Sequence, residues 1–197
     1  MVKQYGVSQK MYMLICLLRT RLFYRGSRLI RFPFDIRNRK HISLGKNFTS
    51  GRNCRLEVCN EHCDKGRICL KLGEGVQIND NVHIAAGQLV EIGNHVLIAS
   101  RVFISDINHG NFREREIFDL SVSPEKQALF FDPVRIEDNV WIGESVCILP
   151  GVTIGKHSVV GALSCVTKSI PPYSIAVGNP ARVIKQYNFQ TCSWERV

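Results

Sequence analysis

The chain has 197 residues, 45% apolar and 22% charged, the balance of one water-soluble globular domain with room for a small appendage. No run of eighteen apolar residues occurs, which excludes a membrane-spanning helix, and the short apolar run 11–18 meets arginines rather than a small-residue cleavage site, which argues against a secretory signal. The net charge of +9 lies at one end: residues 1–40 hold ten basic residues against Asp35 alone, and the rest of the chain holds sixteen of each sign.

Residues 1–40 mix Leu, Ile, Phe and Tyr with arginine, and residues 11–23 are expected to form a basic amphipathic helix. Such a helix docks on the protein body or adheres to an anionic membrane surface. No aromatic-basic reading motif supports nucleic acid as a partner. From about residue 41, Ile42, Leu44-Gly45 and Leu56 suggest one or two irregular coils, with the cysteine-bearing segment 58–69 as a loop between them. Cys54, Cys59, Cys63 and Cys69, with His62 among them, lack the tight C-x2-C pair of structural zinc sites. They are expected to be free thiols in a reducing compartment, and no metal is expected.

From residue 72 the sequence repeats every six residues. Leu72, Ile78 and Ile84 mark the first run, Ile92, Ile98 and Ile104 the second, and Ile136, Ile142, Ile148, Ile154, Val160 and Val166 the third. The following residue is mostly small, as at Gly73, Gly93, Gly143 and Gly161. A period of six fits neither an isolated hairpin nor an amphipathic helix, and short fixed periods indicate solenoids. Three hexapeptides make one coil, with the aliphatic residue inward and successive coils stacked at strand spacing.

Three segments carry a resemblance: ISDINHG at 104–110, DNVWIGESVCILPGVTIG at 138–155, and IPPYSIAVGNPARVIK at 170–185. Together with the repeats they resemble the hexapeptide-repeat acyltransferases, in the branch of maltose, galactoside and nodulation-factor O-acetyltransferases. With the basic N-terminal extension they are most similar to acetyltransferases of O-antigen and capsule gene clusters. The resemblance implies an all-β chain folded as a left-handed parallel β-helix, assembled as a homotrimer with active sites between subunits. It also implies acetyl-CoA as donor, a saccharide acceptor, and a cytoplasmic location, peripheral to the membrane if the extension adheres to it. The expected organisation is an extension over 1–40, a β-helix over 41–186 with an excursion at about 107–133, and a tail over 187–197.

His109 is the expected catalytic base. It stands five residues past Ile104, in the excursion that separates Ile104 from Ile136, and imidazole suits proton transfer near neutral pH. The bland alternative is a loop histidine before a turn glycine. By resemblance, the backbone N–H of Glu144 holds the developing oxyanion, and Asn81 contacts the sugar acceptor, the alternative being an asparagine in a turn. His83, inside a repeat about one coil before His109, either borders the acceptor pocket or is simply exposed outward. Asp106 either orients the imidazole or serves a turn. Trp141, too large for a narrow coil, should project outward, and the resemblance implies that it lies with Gly143 beside the acetyl-CoA tunnel. Gly161, Ala162, Thr167 and Lys168 fall where the family lines the pantetheine arm. Arg182 and Lys185 either bind the CoA phosphates or form a charged tail after the β-helix cap. His41, His62 and His157 are expected to be solvated. Two rivals stay open: a γ-type carbonic anhydrase, for which the H-x4-H pair is missing, and a non-catalytic β-helix that binds a sugar nucleotide or another protein. A small-molecule acceptor, such as an antibiotic or amino acid, is a further alternative.

Overall fold

The computed structural model describes residues 6–59, 66–111 and 119–197. From Leu29 the chain winds through three parallel sheets in rotation, each coil adding one short strand to each. Sheet A stacks Gln77–Ile78, Leu97–Ile98, Trp141–Ile142 and Val159–Val160, with Ile78, Ile98, Ile142 and Val160 in register. Sheet B aligns Leu56, Ile84, Ile104, Ile148 and Val166. Sheet C aligns Leu72, Ile92, Ile136 and Ile154. These aliphatics are almost wholly buried and form one continuous column. Each contributes about 1.5–3 kcal/mol of apolar burial.

Coil length varies while the inward rows stay aligned. Twenty residues separate Gln77 from its partner Leu97, but eighteen separate Trp141 from Val159. The coil from Leu56 to Ile84 takes twenty-eight, because the segment between Val58 and Leu70 is inserted there. Cys54 and Cys69 are buried in the column, whereas His62 and Cys63 lie outside the described residues.

The first coil begins earlier than the expected residue 41. Leu29–Ile30 pairs with Thr49–Ser50, and Phe34–Arg37 pairs with Cys54–Val58. Buried Phe48 replaces an aliphatic in this part of the core, and Tyr24, Phe32 and Phe34 pack against it. Aromatic filling hides the hexapeptide rhythm there. His41 also departs from expectation: it is buried, and its Nδ1 lies 2.8 Å from the carbonyl of Arg67.

Helix α1, Val7–Phe23, lies against this first coil. The Thr20 hydroxyl donates to the Cys16 carbonyl at 2.7 Å and accepts the Ile30 N–H at 2.9 Å. It thereby satisfies a backbone donor on the edge strand of sheet A. The Tyr12 hydroxyl donates to the Phe32 carbonyl at 2.8 Å, and the Arg52 and Arg19 guanidinium groups stack on Tyr12 and Phe32. At the other end Ser174–Gly178 joins sheet A in parallel, and Ala181–Asn188 and Ser193–Arg196 continue it antiparallel.

Candidate active site

The excursion leaves the fourth complete coil at the C-terminal end of the sheet B strand Phe103–Ser105 and returns at the sheet C strand Val134–Ile136. Its root is a two-stranded antiparallel hairpin, Ile107–His109 against Leu129–Phe131. His109 is the last residue of the outgoing strand, opposite Leu129, and it is exposed. Gly110, with φ +93°, donates to the Ala128 carbonyl and extends the hairpin one step.

Asp106 holds the hairpin root. Its carboxylate is fully buried and accepts the N–H groups of Gly87, Gln88 and Leu89 at 2.6, 2.8 and 2.6 Å. Its carbonyl accepts the Asp132 N–H from the returning strand. Asp106 thereby ties the corner of the preceding coil to the hairpin. Both oxygens are occupied by the corner of the preceding coil, and the side chain is buried from solvent. Gly87 is also needed where it stands, since a Cβ there would come within 2.2 Å of the Phe131 ring.

His83 lies on the outward face of sheet B, in register with Arg55 and Phe103. Its Nε2 is 2.7 Å from a Glu57 carboxylate oxygen, and its ring centroid is 5.3 Å from that of Phe103. This histidine already has a carboxylate partner. Asn81 occupies the corner between sheets A and B with φ +59°, its N–H on the Arg52 carbonyl. That backbone shape explains an asparagine without any ligand, and the side chain is exposed and free to contribute more.

Trp141 projects outward from sheet A and is 52% exposed, as its size demands. It is flanked in register by Leu97 and Val159. Gly143 and Glu144 open the corner that follows. A Cβ on Gly143 would meet the Ala162 nitrogen at 2.6 Å, so the corner packs only with glycine. The Glu144 carboxylate pairs with the Arg101 guanidinium of the coil before it. In the second coil the equivalent corner N–H, that of Arg52, donates to Asp80 of the next coil. One coil on from Glu144 the matching residue is Ala162, which has no side-chain acceptor.

The remaining predicted residues fall into three pairs. Gly161 and Ala162 lie on the same A-to-B corner, one coil on. Arg182 and Lys185 lie on the antiparallel strand that extends sheet A, where Arg182 pairs with Val177 and Lys185 with Ile175. A bulge at Ile184 skips one residue of the alternation, so both basic side chains share the outward face. That face carries the row Leu97, Trp141, Val159 and Ile175. This same-face relation was not readable from the sequence. Thr167 and Lys168, by contrast, are exposed at the far end of sheet B, beyond Cys165–Val166.

Within one chain, then, the site is divided. Glu144 precedes the sheet B strand Cys147–Ile148, whereas His109 follows the neighbouring sheet B strand Phe103–Ser105. His109 and the Glu144 N–H stand at opposite ends of parallel strands. Cys54, expected only as a thiol, is buried and donates to the Asn79 carbonyl at 2.9 Å; burial pushes its pKa up to about 11. Among the described residues no cluster of metal-ligating side chains occurs.

Residues 133–168 match the family model for bacterial transferase hexapeptides, six repeats. The whole chain is 43% identical over 197 residues to the candidate lipopolysaccharide biosynthesis O-acetyl transferase WbbJ of Escherichia coli K12, covering 97% of that protein. The chain belongs to the hexapeptide-repeat transferase family. It is an acyltransferase. Over 119 residues, 60% of this chain and 55% of the other, it is 40% identical to the galactoside O-acetyltransferase of the same organism. The hexapeptide-repeat acetyltransferase VCA0836 of Vibrio cholerae superposes with a TM-score of 0.55 at 33% identity, over 76% of this chain and 77% of that one. The N-acyltransferase AntD of Bacillus cereus superposes with a TM-score of 0.68 over 88% and 90% at 24% identity, a likeness of fold.

Proposed function

We propose that this chain is an acetyl-CoA-dependent O-acetyltransferase acting on a sugar hydroxyl of a bacterial surface-polysaccharide precursor. In this reading its coils wind left-handed, as in the family, and three chains assemble around a common axis in the cytoplasm. The observation that carries the proposal is the division of the site: His109 and the Glu144 corner lie at opposite ends of the sheet B strands, so a neighbouring copy completes the constellation. The outward faces favour such packing. Sheet A presents Leu97, Trp141 and Val159, and sheet B presents Phe103, Cys147 and Cys165. Sheet C instead carries an ion-paired ladder of Lys71, Glu91 and Arg135 suited to water.

In the proposed reaction His109 takes the proton of the acceptor hydroxyl as its oxygen attacks the thioester carbonyl. The negative charge that develops on the carbonyl oxygen is met by the Glu144 N–H. The C–S bond then breaks, and the thiolate takes the proton from the imidazolium. Trp141, Gly143, Gly161 and Ala162 border the donor, Arg182 and Lys185 face its phosphates, and Thr167 and Lys168 contribute from the neighbouring chain. Asn81 and His83 border the acceptor. The O-acetylation named for WbbJ and for the galactoside enzyme supports oxygen over nitrogen as the acceptor atom.

Thiol release from acetyl-CoA, measured with a panel of free, nucleotide-linked and lipid-linked saccharides, tests the proposal. Saccharide-dependent release by the native protein, lost in His109→Ala, is the expected result. Release that is unchanged by His109→Ala, or that no saccharide stimulates, would overturn it.

A further inference from the structure

Helix α1 has two apolar sides, and the fold uses one. Tyr12, Cys16 and Thr20, one turn apart, face the first coil. On the other side Val7, Met11, Leu14, Ile15, Leu18 and Leu22 stand 49–82% exposed. Their spacing of i, i+4, i+7, i+8, i+11 and i+15 makes one unbroken stripe, about 100° wide, along the full length of the helix. An apolar patch of this kind on a water-exposed surface marks a contact.

The charge around the stripe selects the occupant. Lys10 and Arg21 run along one border, and Arg25 and Arg28 follow the helix, all four exposed. No acidic residue occurs before Asp35. Joining two copies of this helix along their stripes would bring like charges together. An anionic lipid surface buries the same apolar residues and neutralises the same cations. Seventeen residues at 1.5 Å each fall short of the roughly 30 Å hydrocarbon core, and among the described residues no helix is long and apolar enough to cross a membrane.

We infer that α1 lies in the headgroup layer of an anionic bilayer, its axis along the surface and its exposed stripe turned toward the acyl chains. Apolar burial and basic attraction together make the two signals that stable peripheral attachment requires. The Thr20 and Tyr12 bonds fix the helix to the first coil, so the column is held at the membrane by its N-terminal end. This is independent of the acyl-transfer reading, since vesicle binding needs no chemistry and either can fail alone.

Co-sedimentation of the full-length protein with phosphatidylglycerol-containing vesicles, and with pure phosphatidylcholine vesicles, tests it. The expected result is binding to the anionic vesicles only, weakened at least tenfold by Leu14→Glu with Leu18→Glu, and on the order of fivefold by each of Arg21→Gln and Arg25→Gln. Both pairs are exposed, so the sedimentation coefficient and circular dichroism of the free protein should not change. Equal binding to neutral vesicles, binding unaffected by the leucine pair, or no binding by the native protein would each overturn the inference. A leucine pair that changes the oligomeric state would also overturn it, and would show that a second copy covers the stripe.

Discussion

The buried carboxylate of Asp106 accepts the N–H of Gly87 at 2.6 Å, tying the corner of one coil to the root of the hairpin that presents His109. Two further amides, those of Gln88 and Leu89, share the same carboxylate. Asp106→Asn puts an amide NH2 where one of these donors needs an acceptor, and the loss is set by the unsatisfied buried group. Stability should fall by about 3 kcal/mol, read as a lower urea midpoint at fixed protein concentration. Turnover should fall as well, because the hairpin loses its anchor. An unchanged midpoint would contradict the anchoring role.

Gly87 is constrained from the other side by Phe131. Gly87→Ala should destabilise the protein by about 1–3 kcal/mol through overpacking. Adding Phe131→Leu, which removes the ring from the clash, should recover part of that loss. A double-mutant cycle in urea checks the coupling, and strict additivity of the two changes would refute it.

The Cys54 thiol gives a pH signature. Burial raises its pKa from 9.0 to about 11 in the folded chain. Its stabilising effect is therefore complete below pH 9 and is lost as pH rises toward 11, where the unfolded thiol ionises first. The loss approaches about 2–3 kcal/mol at 1.36 kcal/mol for each pKa step. Comparing urea midpoints of the native protein and Cys54→Ala at pH 8 and pH 10.5 isolates this thiol, since all other groups are common to both. The advantage of the native protein should shrink at the higher pH; a constant gap would contradict the burial argument.

Much of the column was legible. The aliphatic row from Leu72 to Val166 predicted the stacked sheets because inward positions of a narrow coil admit little else. The first coil was not legible, since Phe48 fills the space an aliphatic fills elsewhere. His109 was singled out by its place in the excursion, by the suitability of imidazole for proton transfer and by the resemblance carried by ISDINHG at 104–110. The job of Asp106 was hidden, because its partners lie seventeen to nineteen residues upstream and are backbone amides. The shared face of Arg182 and Lys185 depends on a bulge that no residue pattern announces. The second apolar side of α1 was also obscured: a helix apolar on two sides shows a blurred periodicity, and only its docking reveals which stripe is left outside.

The role given to Glu144 rests on its backbone. Glu144→Ala keeps the N–H and removes only the exposed pair with Arg101, worth at most about 1 kcal/mol, so turnover should stay within a few-fold. Glu144→Pro deletes the N–H itself. Proline already occupies the matching corner position in this chain, at Leu149-Pro150-Gly151, so the coil can accept it. Turnover should then fall on the order of 100-fold to 1000-fold, with the assembly intact. Equal rates for the two variants would remove the oxyanion role.

Mixing two inactive variants measures the divided site most directly. His109→Ala and Glu144→Pro chains, refolded or co-expressed in equal amounts, form mixed assemblies in which some interfaces pair an intact His109 with an intact Glu144 corner from a different chain. Activity should return to roughly a quarter of the native level if each site draws one part from each neighbour across a head-to-tail interface. Mixed assemblies as inactive as their parents would mean that both parts act within one chain, or not at all.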